Sequence, residues 1–85
     1  MKKYFSQKNS IRMYGVLMSF YGKLEDYYQA GMPLKANPND MKKNVSYILS
    51  YAKDFRTSVK PKLLKDMDKG LSDLERLCEN ILSKI

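Results

Sequence analysis

Apolar residues recur along this chain at intervals of three and four, the spacing that brings side chains to one face of a helix. The longest run lies at the end: Leu64, Met67, Leu71, Leu74, Cys78, Ile81 and Ile85. In the middle, Met41, Val45, Ile48, Ala52, Phe55 and Val59 keep the same rhythm. Continued past Val59, that second run would meet Lys62 and Asp66, charged residues that do not belong in an apolar seam. The phase therefore breaks at Lys60-Pro61, and proline disfavours helical geometry at the residue before it. A tight turn or sharp kink is expected there. Nearer the start, Met13, Leu17, Phe20, Leu24 and Tyr27 form a third seam.

Local signals bound these runs. Ser10 is a possible N-cap for the first helix. Gly31 sits where a left-handed residue ends a helix, with Pro33 two positions on. In Asn37-Pro38-Asn39-Asp40, asparagine caps, proline takes the first helical position, and Asp40 meets the positive end of the dipole. The expectation is one domain over residues 1–85: a polar, basic arm over 1–9, then helices over about 10–30, 38–59 and 61–85. No stretch alternates with period two, so no strand is expected. Rods of roughly 30, 30 and 37 Å pack most simply as an all-α, up-down-up three-helix bundle. The rival is a hairpin in which residues 38–85 form one kinked helix and the core is completed by dimerisation, with helix 3 zipping against its copy.

Composition narrows the chemistry. There are 85 residues, one Cys and no His. Neither a Ser-His nor a Cys-His pair can exist, and one Cys without His cannot build a zinc site. Cys78 lies in a seam, where a buried thiol is inert. The acids of the last helix interleave with bases; Lys62–Asp66 and Lys69–Asp73 at i,i+4 and Asp73–Arg76 at i,i+3 form a solvated salt ladder. No catalytic residue, cofactor or metal is therefore expected, and the chain is read as no enzyme. The apolar run Val16 to Phe20 is too short for a signal-peptide core or a membrane span. A cytoplasmic, unprocessed protein held together without disulfides is expected.

The net charge is +7, and the excess lies outside the last third. Residues 1–24 contain Lys2, Lys3, Lys8, Arg12 and Lys23 and no acid. Such a patch attracts phosphate, acidic lipid or an acidic protein. With Tyr4 and Phe5 available for stacking, Lys2, Lys3, Lys8, Arg12, Lys42 and Lys43 make a candidate nucleic-acid contact set, provided Lys42 and Lys43 lie near the arm. A helix-turn-helix is a poor match. Arg56 holds the position that favours glycine, and Lys62 and Lys65 fall where apolar residues are needed.

Tyrosine is the unusual residue, at 7 of 85. Tyr14, Tyr21 and Tyr28 line up along helix 1 beside its seam, with Gly15 and Gly22 following the first two. They either widen the core face or, together with Met18, form a contact surface for another protein. The leading expectation is a non-enzymatic helical protein that binds and modulates a partner protein through Tyr14, Met18, Tyr21 and Tyr28, with the arm steering association. A nucleic-acid-binding accessory protein is the second. Peripheral membrane association, of the immunity-protein type, is the third, although Glu25 and Asp26 at one end of helix 1 weigh against it.

Overall fold

A computed structural model describes residues 3–32 and 38–85 of the chain. Three helices occupy almost all of it: α1 (Gln7–Gln29), α2 (Pro38–Ser58) and α3 (Pro61–Ser83). They pack as an up-down-up bundle with extents of 43 × 22 × 18 Å. The expected cap at Asn37 lies outside the described residues.

The ends of the helices follow from local chemistry. α1 begins a turn earlier than the Ser10 signal implies, because Ser6 is the cap; its hydroxyl accepts from the Asn9 N–H at 3.2 Å. Ser10 is instead inside the helix, fully buried, with no partner for its hydroxyl. At the other end Gly31 adopts φ 85°, and two bonds close the helix: Met32 N–H to Tyr27 C=O at 3.0 Å, and Gly31 N–H to Tyr28 C=O at 3.1 Å. That pair is a Schellman closure, which needs a residue free to turn left-handed. Between α2 and α3 the chain breaks at Val59-Lys60, and Pro61 opens α3. The change of phase is thus a turn, and residues 38–85 are not one kinked helix.

α3 lies against both other helices, whereas α1 and α2 meet only marginally. Of the α3 seam, Met67, Leu71, Leu74, Cys78 and Ile81 are buried and Leu64 packs partly against the core, whereas Ile85, past the helix end at Ser83, is exposed. Val45, Ala52, Phe55 and Val59 supply the α2 side. Arg56 ties the two helices together: its guanidinium pairs with Asp68 and, at 2.6 Å, with Glu75, and also donates to Ser72 at 3.3 Å. The salt ladder expected along α3 is not among the ion pairs of the described residues. Exposed pairs on one helix return little for the entropy of holding two long side chains, while the bridge to α2 is partly shielded.

On α1 the structure keeps Leu17 and Leu24 in the core and Met13 packed against it, but the buried face is turned away from Phe20. Tyr14, Tyr21 and Tyr28 pack against the core beside them, together with Met18. Phe20 is turned outward. The working seam is Ser10, Tyr14, Leu17, Tyr21, Leu24 and Tyr28, which also has gaps of three and four. The cause lies on α3. At Gly70 a β-carbon would collide with the Tyr14 hydroxyl, and Met18 Sδ would sit 3.0 Å away. Gly70 leaves a notch that Tyr14 fills, and α1 is set by that fit.

Candidate interaction surfaces

The tyrosine line closes the α1/α3 seam. Tyr14 lies over Gly70, and Lys84 stands 4.8 Å from the centre of the Tyr28 ring. Tyr21 donates to Glu25 at 2.9 Å, and that bond, reinforced by partial desolvation and the Glu25 charge, raises its pKa. Tyr14, Met18, Tyr21 and Tyr28 are all half-buried, so only their rims face solvent. Gly15 and Gly22 face open space.

The basic residues are divided between the two ends of the bundle. The arm is pinned at one end: Phe5 donates its N–H to Ser58 C=O at 2.9 Å and stacks on Phe55, with ring centres 6.2 Å apart. Lys3, Lys8 and Arg12 are exposed there. Lys42 and Lys43 are exposed too, but they sit at the start of α2, about 24 Å of helix away from Ser58. The up-down order of α1 and α2 separates what the sequence allowed to cluster. Phe5, occupied by Phe55, is not available to stack on a base. Lys2 lies outside the described residues. Beside the pinned arm, Phe5, Gln7, Lys60, Lys62, Leu63 and Asp66 line a shallow, open hollow of about 350 Å³ with both signs of charge.

A different surface was not singled out by the sequence pattern. Val16 (48% exposed), Phe20 (37%), Tyr47 (67%) and Tyr51 (46%) leave large apolar groups in solvent. Helical phase places them together. On α1 the α3 side is fixed by Tyr14, Met18 and Tyr28. At about 100° per residue, Val16 and Phe20 fall on the other flank, toward α2. On α2, Arg56 marks the α3 side and Phe55, under Phe5, marks the α1 side. Tyr47 and Tyr51 lie beyond Phe55 on that same α1 side. Val16, Phe20 and Tyr51 therefore flank the line where α1 and α2 run antiparallel with few contacts, while Tyr47 is turned farther out, beside Lys43, Ser46 and Ser50. The available signal was Phe20 itself: two apolar stripes flank Leu17 and Leu24, and only one can enter the core.

Cys78 is buried and free. Burial, followed by the charges of Glu75 and Glu79, pushes its thiol up to about 11, so it is no thiolate at neutral pH. Among the described residues no helix is long and apolar enough to cross a membrane, and no group of three or more His, Cys, Asp and Glu could hold a metal ion. The fold defines the class: a small three-helix bundle with an apolar flank along two of its helices. Compared with protein-family models, curated proteins and solved structures, the chain shows no significant match.

Proposed function

We propose that this chain is a non-enzymatic helical module that binds and modulates a partner protein. The observation that supports this reading is the apolar flank of Val16, Phe20, Tyr47 and Tyr51. Scattered single hydrophobics on a surface are ordinary, but three that flank one line on so small a bundle, with Tyr47 turned out on the neighbouring turn, offer a surface of the kind another protein covers. Tyrosine and phenylalanine suit that role because they offer large area with few rotatable bonds. The contact therefore passes from Tyr14, Met18, Tyr21 and Tyr28, which are engaged with α3, to the α1/α2 flank. Exposed cations, among them Lys8, Arg12 and Lys43, would steer an acidic partner. The absence of histidine and the protonated state of Cys78 support the non-enzymatic part.

The nucleic-acid reading is weaker because the bases are split between two ends and Phe5 is occupied. Affinity capture from native lysate, with and without nuclease, separates the two. A stoichiometric, nuclease-resistant partner is expected, with capture lost on Tyr47→Ser while the melting temperature stays unchanged. Capture that vanishes with nuclease, and a nucleic-acid affinity that falls by roughly two to four powers of ten between 50 and 200 mM salt, would install the other reading.

A further inference from the structure

We infer that the solvent side of α2 is a self-complementary seam on which two copies of this chain pair antiparallel into a weak, reversible dimer. This goes beyond the partner-binding reading and does not depend on it. Asp40, Lys43, Tyr47, Ser50, Asp54 and Thr57 follow one another at gaps of three and four, so they form one stripe down α2. All of them are exposed, and the stripe lies opposite the face that Val45, Ala52 and Val59 bury. α2 therefore carries two heptad-spaced stripes, one turned into the bundle and one turned out. Tyr47, at 67%, is the most exposed large apolar side chain of the described residues. Asp40, Lys43 and Asp54 are in no ion pair among the described residues.

The order of residues in the stripe sets the pairing. With a two-fold axis midway between Tyr47 and Ser50, Tyr47 of each copy lies level with Ser50 of the other, Lys43 with Asp54, and Asp40 with Thr57. Each ring thus meets a small side chain, and each cation meets a carboxylate. Knobs of one seam enter holes made by four residues of the other, spaced i, i+3, i+4 and i+7. Lys43, Ser46, Tyr47 and Ser50 have that spacing and line a shallow hollow of about 380 Å³, which receives Ser50 of the copy. Tyr47, Ser50, Tyr51 and Asp54 make the next hole, which receives Tyr47 of the copy, so the rings of both chains gather along one edge. A parallel pair sets Lys43 on Lys43 and Asp54 on Asp54, and sliding the copies by a heptad either way takes Lys43 off Asp54. The chain carries +7 and repels its copy elsewhere, but the stripe holds two acids and one cation and is free of that excess. Lys42 and Lys53 lie toward the α3 flank of α2, off the stripe. With one ring per chain and polar layers at both ends, a seam about 25 Å long makes a weak dimer.

The test is sedimentation equilibrium of the full chain up to about 1 mM, where a monomer–dimer equilibrium with Kd on the order of 0.1 mM is expected. Lys43→Asp and Asp54→Lys should each weaken the dimer at least about tenfold. The double variant exchanges the two charges and should restore the dimer to within about threefold of the native Kd. Tyr47→Ser should weaken it about tenfold. These side chains are exposed, so the melting temperature of the monomer should hold in every variant. A chain that stays monomeric at about 1 mM, a dimer indifferent to Lys43→Asp, or a double variant that fails to restore association would overturn the inference. So would a dimer abolished by Phe20→Ser and untouched by Lys43→Asp, which places the contact between copies on α1. Capture of another protein lost on Lys43→Asp, from a chain that stays monomeric, would give the stripe to that protein and overturn the inference too. A dimer dissolved by Lys43→Asp while lysate capture persists supports the inference and leaves the partner-binding reading standing.

Discussion

Gly70 shows how one missing β-carbon decides the orientation of a helix. In the middle of α3 a glycine costs about 1 kcal/mol relative to alanine, so Gly70→Ala should help on propensity alone. Here the added carbon meets the Tyr14 hydroxyl and crowds Met18. Gly70→Ala is expected to lower stability by about 1–2 kcal/mol, since the ring must leave its place against the core. In a Tyr14→Phe background the same change should cost much less. Urea denaturation of the two single variants and the double variant measures that coupling; simple additivity would mean that Tyr14 does not occupy the notch. Cys78 makes a prediction in pH. Its folded pKa of about 11 lies above the ordinary thiol range, so the folded chain keeps a proton that the unfolded chain loses. Stability should be level up to about pH 9 and fall as pH rises toward about 11. Tyr21, also raised, acts in the same sense at the upper end of that range. Denaturation curves across this range should lose part of their slope in Cys78→Ala, and the native thiol should resist alkylation at pH 8.

At the scale of elements, the three helices are held by different means. α1 has a side-chain cap and a Schellman end, and α2 carries Asp40 in its first turn. α3 starts with Pro61 after Lys60, whose side chain makes no capping bond. Its first-turn N–H groups therefore lack a side-chain acceptor, and a cation stands at the positive end of the dipole. Lys60→Asp should supply the acceptor and reverse the charge, raising stability by about 1 kcal/mol in thermal or urea melts. A loss of stability would show that Lys60 is needed in the hollow beside Phe5. The turn itself was legible in the sequence because two independent signals coincided, the phase break and the proline. The start of α1 was not, since Ser6 and Ser10 are equally good caps by residue type and only the helix axis chosen by packing separates them.

For the whole molecule, the arm is a structural member and not a tail. Phe5 covers Phe55 where α1, α2 and the turn into α3 converge. Phe5→Ala should cost about 1–3 kcal/mol for the apolar area uncovered, measured by urea denaturation of the full chain. A change below about 0.5 kcal/mol would mean that the arm is loose.

Periodicity alone determined the helical class, the number of helices and most of the seams of α2 and α3, because one aliphatic stripe dominates each of those helices and sets which way it faces. Leu17 and Leu24 were fixed for the same reason. The rotation of α1 about them was decided by tertiary structure. Phe20 with Tyr27 on one flank and Tyr14 with Tyr21 and Tyr28 on the other are both apolar enough to enter a core. The choice fell to the partner surface, where Gly70 on α3 has room for a ring. Which bases share a surface was likewise out of reach of the sequence, because distance along the chain does not say which ends of antiparallel helices meet. The exposed Val16 and Phe20 of α1 are the remainder of that choice: the stripe α3 did not take.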